Sequence, residues 1–287
     1  MSGTLSEVRA VIFDVDGVLL DARPSYHAAA EEAARRVVAK AIGATQARAV
    51  PFDRAREVPA FKAAGRFNDD WDTARGIGLL LLLRAGGKAP PLGEFLASAG
   101  GRGVKGLFER WPQYDRVLPA EEISRLCGAL YGGEKCRELF GYDAEEVLPG
   151  AGPRGMWENE EVLPDPALLE GVARHFPLAL YTGRNPGEAR LALHLCKLRV
   201  PEANLWVADG RPRKPDPAGL LWLTHALLRG APLGAQVLFV GDTADDLAAS
   251  RAAQEHGTPL IYAHIEEPGD TTKVLSRLLV DAAGERE

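Results

Sequence analysis

The sequence predicts an α/β protein built on a doubly wound, Rossmann-like parallel sheet. Three observations predict it. Short, unbroken apolar runs alternate with helix-length stretches after residue 165, one further apolar run stands alone near the start, and several of these runs end in acidic or hydroxyl residues. Strands buried on both faces read as continuous apolar runs, and parallel order requires helices between them.

The first expected strand is Val8 to Phe13, which runs into Asp14-Val15-Asp16-Gly17. Comparable runs are Leu178 to Tyr181, ending at Thr182-Gly183, and Leu205 to Ala208. Two more follow, Val237 to Val240, ending at Gly241-Asp242, and Leu260 to Ala263. Helical patterns at Pro186 to Leu198, Pro217 to Leu228, Asp245 to His256 and Thr271 to Ala282 complete the alternation.

Residues 22–164 break this rhythm. A helix rich in Ala, Glu and Arg is expected over Tyr26 to Lys40, followed by helical stretches interrupted by Gly and Pro, with no convincing strand. The Gly- and Pro-dense segment Gly86 to Gly106 reads as a mobile loop. Glycines 101, 103 and 106 spell a dinucleotide-binding pattern, but they follow helical rather than strand sequence and so lack the context that gives it meaning. The expected organisation is a sheet domain of 1–21 and 165–287, with a mostly α-helical domain of 22–164 inserted.

A content of 46% hydrophobic and 26% charged residues over 287 residues suits a globular protein that builds its core without staples. Cys127, Cys136 and Cys196 have no C-x-x-C spacing and an odd count, which points to buried, reduced thiols. The net charge of −6 argues against a nucleic-acid partner. The longest apolar run, Leu79 to Leu83, is far too short to span a membrane. The chain reaches an apolar strand by Val8, which leaves no room for a signal core, so a cytoplasmic location is expected. A homodimer stays open, since no segment announces a pairing surface.

Parallel strands bring their carboxyl ends to one edge. Asp14, Asp16, Thr182, Lys214, Asp242, Asp245 and Asp246 are therefore expected to gather there. Carboxylates so crowded repel one another unless a cation sits among them. Oxygen donors without His or Cys favour a hard ion, and Mg²⁺ is the one expected. A lysine and a threonine hydroxyl beside that ion suit phosphate oxygens, and the backbone N–H groups after Thr182 would extend the cradle.

D-V-D-G-V at 14–18, T-G-R at 182–184, Lys214 in R-K-P-D-P and G-D-T-A-D-D at 241–246 stand in an order that resembles the haloacid dehalogenase (HAD) superfamily. The resemblance covers the sheet domain and implies that the inserted helical domain is a cap. It implies a Mg²⁺-dependent phosphohydrolase, a phosphomonoesterase that acts on a small phosphorylated metabolite through an aspartyl phosphate. Asp14 is then the nucleophile, and Asp16 the general acid for the leaving alcohol and afterwards the base for water. Asp14, the backbone carbonyl of Asp16, and Asp242 are implied as metal ligands, with Asp246 behind them orienting Lys214 or a metal-bound water. Asp245 is the ambiguous member of the adjacent pair. Thr182 and Lys214, with Gly183 and Arg184, are implied to hold the phosphoryl group.

Within the inserted domain, Phe61 to Trp71 sits where capped members carry a specificity loop, so Lys62, Arg66 and Asn68 are expected to read the substrate. Its N-D-D-W string, with Tyr131-Gly-Gly133 and Trp157-Glu-Asn-Glu160, resembles a poorly characterised branch of the superfamily. Trp71 itself reads better as a core residue. A phosphomutase shares all the motifs and differs only in the acceptor of the phosphoryl group, and a catalytically idle binding protein on the same fold is the other alternative. A dehalogenase would have no task for an acid at Asp16.

Overall fold

The computed structural model describes residues 5–65, 67, 70–150, 152–267 and 269–284. In chain order, β1 (Val8–Phe13) and β2 (Leu20–Asp21) come first. The helices α1 (Ala28–Ile42), α2 (Ala44–Ala49), α3 (Arg54–Ala63), α4 (Asp70–Ala85), α5 (Leu92–Ala97) and α6 (Gly103–Arg110) follow. The helical run closes with α7 (Ala120–Gly132), α8 (Cys136–Phe140) and α9 (Ala144–Val147). Then come β3 (Glu161–Val162), α10 (Pro166–His175), β4 (Leu178–Tyr181), α11 (Pro186–Leu195) and β5 (Leu205–Trp206). The chain ends with α12 (Ala218–Leu227), β6 (Gln236–Gly241), α13 (Ala244–Glu255), β7 (Leu260–His264) and α14 (Asp270–Gly284). It divides into two compact units, Met1–Asp21 with Glu161–Glu287, and Ala22–Glu160.

The first unit is a five-stranded parallel sheet in the order β5-β4-β1-β6-β7. Successive strands run outward in both directions from β1, so the sheet is doubly wound with its switch point beside β1. Alternate residues of β1 serve opposite faces. Val11 and Phe13 pack with residues of α10, α11 and α14, whereas Ala10 and Ile12 pack with residues of α12 and α13. Coverage on both sides is why the strand reads as an apolar run, with the half-buried Arg9 its one charged residue.

Helix starts in this unit follow local chemistry. The Asp165 side chain accepts the N–H groups of Ala167 and Leu168, with Pro166 in the first turn of α10. Asn185 and Glu188 form a reciprocal capping box at α11, again with Pro in the first turn. The expected helix to Leu198 stops earlier, because Lys197 turns to φ 55° and the Leu198 N–H closes onto the Leu193 carbonyl at 2.9 Å. The strand expected over Leu205 to Ala208 ends at Trp206, since the Ala208 N–H leaves the ladder for the Arg184 carbonyl, 2.9 Å away.

Within 22–164 no strand was expected, yet Glu161–Val162 pairs antiparallel with Leu20–Asp21 and belongs to the sheet unit. Two residues are too few to show a period, so the sequence carries no sign of it.

The second unit is helical. α1 buries Ala29, Ala30, Ala33, Ala34, Val37 and Val38 on one face, and its other face carries the i,i+4 pairs Glu31–Arg35 and Glu32–Arg36 at 2.9 and 2.7 Å. Leu79 to Leu83 of α4 join the same core. Trp71 packs there too, 5.7 Å from the Tyr26 ring and 6.3 Å from Phe140.

The mobile loop expected over Gly86 to Gly106 is a misreading. That segment holds all of α5 and the start of α6, with Phe95, Leu96 and Val104 buried. Its glycines and prolines punctuate helices rather than prevent them. Pro91 caps α5, and Gly106 lies so near Ala99 that a Cβ there would collide with the Ala99 carbonyl.

Candidate active site

The carboxyl ends of β1, β4 and β6 supply the site. Asp14 follows β1, Thr182 follows β4 and Asp242 follows β6. Because β1 pairs with both β4 and β6, these residues face the crevice at the switch point, where such sheets bind ligands. The Asp14 N–H still donates to the Val240 carbonyl at 2.9 Å, so its backbone is fixed as firmly as the strand.

Lys214 links the charges. Its Nζ lies 2.9 Å from Oδ1 of Asp14 and 2.6 Å from Oδ1 of Asp246. Burial opposes the charged form of Lys214, but Asp14 and then Asp246 hold its ammonium above the usual lysine range. Asp246 is fully buried, and its Oδ2 accepts the Thr243 N–H at 3.0 Å and the Thr243 hydroxyl at 2.6 Å. A Cβ at Gly241 would meet the Cβ of Asp246 at 2.7 Å, so this glycine lets the strand end press against the aspartate. Asp245, its neighbour, is half-buried.

The turn after β1 is equally tight. The N–H groups of Val18, Leu19 and Leu20 converge on the Val15 carbonyl, and the Thr271 hydroxyl donates to the Val18 carbonyl at 3.0 Å. Gly17 sits at φ 75°, and a Cβ there would strike Oδ2 of Asp242. The glycine of D-V-D-G is thus required twice, by its backbone and by the carboxylate against it.

Thr182 is buried, and its Oγ1 accepts the Arg184 N–H at 3.2 Å. Gly183 between them is exposed, with nothing within 4 Å of where a Cβ would stand, whereas Arg184 is buried and points its guanidinium at Asp16. Nη2 and Nε of Arg184 reach Oδ1 of Asp16 at 2.6 and 3.1 Å.

Asp14, Asp242 and Asp246 each bring a carboxylate oxygen within 4.8 Å of the others, the one such cluster among the described residues. Burial raises the Asp14 carboxyl well above its usual range; Lys214 opposes this, while Asp246, Asp242 and Asp16 add to it. Asp242 is pushed up to about 7, first by burial and then by Asp246. Its Oδ1 is buried without a hydrogen-bond partner. An orphaned carboxylate oxygen among crowded carboxylates, with no sulfur or imidazole donor, fits a hard divalent cation.

Of the residues expected to read substrate, Lys62 lies in the last turn of α3, and Arg66 and Asn68 lie outside the described residues. Two residues outside the expected set also serve the site. Thr243 caps α13 and clasps Asp246, which the T-x-x-D spacing could have signalled. Tyr262 donates to the Gly241 carbonyl at 3.2 Å, and burial, with Asp246 and Asp242, raises its phenol above the usual range. Nothing in sequence points to that one.

Fold and site together define an α/β enzyme with an acidic centre at the switch point of its sheet. The chain belongs to the haloacid dehalogenase-like hydrolases, whose family model matches residues 8–153. Among curated proteins none matches. Phosphatase Tt82 from Thermococcus thioreducens shares the fold with a TM-score of 0.71 at 22% identity, over 94% of this chain and 98% of that one. A HAD-superfamily hydrolase of subfamily IA, variant 1, from Geobacter sulfurreducens is similar at 17% identity and TM-score 0.43, over 96% and 100% of the two chains. A hydrolase from Pseudomonas syringae is similar at 20% identity and TM-score 0.44, over 93% and 98%. No described helix is long and apolar enough to cross a membrane.

Proposed function

We propose that the chain is a Mg²⁺-dependent phosphomonoesterase for a small phosphorylated metabolite. The observation that carries this reading is the buried arrangement of Asp14, Lys214 and Asp246 beside Asp242, with Asp16 two positions beyond Asp14 and held by Arg184. Phosphatase Tt82 supports it as a bearer of the same fold.

Asp14, the Asp16 backbone carbonyl and Asp242 would hold the ion, with Asp246 behind them. When bound, the ion offsets the negative charge of carboxylates and phosphate alike. The remaining chemistry belongs to the chain. A carboxylate oxygen of Asp14 attacks phosphorus as the bond to the ester oxygen breaks, and Asp16 gives that oxygen a proton. Water then attacks the aspartyl phosphate, Asp16 takes back a proton, and phosphate leaves with Asp14 restored. Lys214 and the Thr182 hydroxyl hold the phosphoryl oxygens while charge grows on them.

Lys214 meets both demands of this cycle. Before substrate arrives its ammonium offsets Asp14 and Asp246, and in the transition state it offsets the phosphoryl group. The test is phosphate release from p-nitrophenyl phosphate with Mg²⁺ and after excess EDTA. Turnover that chelation silences and Mg²⁺ restores is expected, and full turnover in EDTA would overturn the metal part of the reading.

A further inference from the structure

Arg184 is the site residue whose side chain is most deeply hidden while its partner is not. Its side chain is 1% exposed, and that of Asp16 is 42% exposed. A guanidinium buried so far must be paired. The pairing is one-sided. Oδ1 of Asp16 accepts from Nη2 at 2.6 Å and from Nε at 3.1 Å, whereas Oδ2 lies at the long distance of 3.4 Å from Nε. A fork-to-fork pair would serve both oxygens equally. Here two donors converge on Oδ1, and Oδ2, reached only by the longer contact from Nε, is the more weakly engaged oxygen.

The backbone beneath the guanidinium is fixed as well. The Arg184 N–H donates to Thr182 Oγ1 at 3.2 Å, and its carbonyl accepts the Ala208 N–H at 2.9 Å. That second bond is the one that draws the chain out of β5 early. The arginine therefore stands on a segment tied both to the end of β4 and to the edge of the sheet, a rigid base from which to aim another side chain.

We propose that Arg184 is a positioning residue for proton transfer: it clamps Oδ1 of Asp16 and so aims Oδ2 at the reacting oxygens. The inference rests on the phosphomonoesterase reading and deepens it. In the first half-reaction the bond from phosphorus to the ester oxygen breaks, the bond to Asp14 forms, and the proton on Oδ2 passes to the leaving oxygen. In the second, water bonds to phosphorus, gives its proton to Oδ2, and the bond to Asp14 breaks. One oxygen gives and retakes the proton, so its direction must hold through both steps.

The test is a double-mutant cycle between Arg184→Met and Asp16→Asn, with Mg²⁺, on phenyl phosphate and p-nitrophenyl phosphate. Met keeps much of the stem and removes every donor, and thermal melts check the fold of each variant. Arg184→Met should lower kcat on phenyl phosphate by about a hundredfold with KM little changed, because proton transfer to a poor leaving group is what suffers. The first turnover of p-nitrophenyl phosphate, whose leaving group needs little protonation, should fall far less. Arg184→Lys should recover part of the loss. In the Asp16→Asn background, adding Arg184→Met should cost no more than about twofold, because both changes remove one device. Losses that multiply in the double variant would overturn the proposal, as would a KM rise shared by both esters at unchanged kcat. If Arg184→Met does not fold, Arg184→Lys takes its place in the cycle: a non-additive loss supports the proposal, and losses that multiply overturn it. Wild-type protein that releases phosphate from neither ester is a separate failure: it removes the phosphomonoesterase reading, and this proposal with it.

Discussion

Lys214 holds two carboxylates at once, with Nζ 2.9 Å from Asp14 and 2.6 Å from Asp246, and all three side chains are almost wholly buried. Remove the ammonium and two carboxylates face each other and Asp242 with nothing between them. Lys214→Met is therefore expected to destabilise the metal-free protein by about 3 kcal/mol, the usual scale for leaving a buried charge unpaired. Turnover should fall by about a thousandfold even where the fold survives, because the proposed stabiliser of phosphoryl charge is gone. Urea unfolding and phosphate release measure the two effects. A variant that keeps both stability and turnover contradicts the assignment.

The pH dependence of stability follows from the same crowding. Burial raises the Asp14 and Asp242 carboxyls above the range they have in an unfolded chain, about 4 for an aspartate. The metal-free native state then binds more protons than the unfolded state, and stability falls as pH rises. For Asp242 the window runs from about 4 in the unfolded chain up to about 7 in the fold. In EDTA the urea midpoint should be higher at pH 5 than at pH 7.5, and Asp242→Asn should shrink that difference. Mg²⁺ added at pH 7.5 should raise the midpoint, as an ion held only by the folded site would. A midpoint that climbs from pH 5 to 7.5 in EDTA, undiminished in Asp242→Asn, would contradict this account.

Gly17 offers a test that replaces no charged residue. Alanine there must adopt φ 75° and press its Cβ into Oδ2 of Asp242. The backbone strain alone is about 1 kcal/mol, and the collision displaces a carboxylate expected to bind metal. Gly17→Ala should lose the Mg²⁺-induced shift in Tm while far-UV circular dichroism shows the sheet intact. Gly257→Ala, at φ 76° with nothing within 4 Å, carries the strain without the collision and should keep the shift. Equal Mg²⁺ responses in the two variants would show that Gly17 does not shape the site.

The sheet was legible because its strands are buried on both faces. Val8–Phe13 and Leu178–Tyr181 could be read to the residue, since apart from Arg9 every position in them is apolar and buried. The acidic cluster was legible for a related reason, because charged residues directly after a buried strand can lie only at its carboxyl edge. What failed was whatever depends on pairing across the chain. Arg184 and Asp16 are 168 positions apart, and neither neighbourhood hints at the other. β3 is two residues long, and its strand character comes wholly from its partner Leu20–Asp21. Gly86 to Gly106 was misread because the same residue types break helices and cap them, and only the burial of Phe95 and Leu96 tells the two apart.

The central claim is that Asp14 becomes covalently phosphorylated, and trapping the intermediate tests it most directly. Wild-type protein is mixed with Mg²⁺ and p-nitrophenyl phosphate, quenched in acid within the first turnovers, and digested for mass spectrometry. The account predicts one added phosphoryl group on the peptide that carries Asp14. It also predicts that Asp14→Asn acquires no such group and releases phosphate at least about a thousandfold more slowly. A phosphoryl group on another residue, or an Asp14→Asn variant within about tenfold of wild-type turnover, would contradict it.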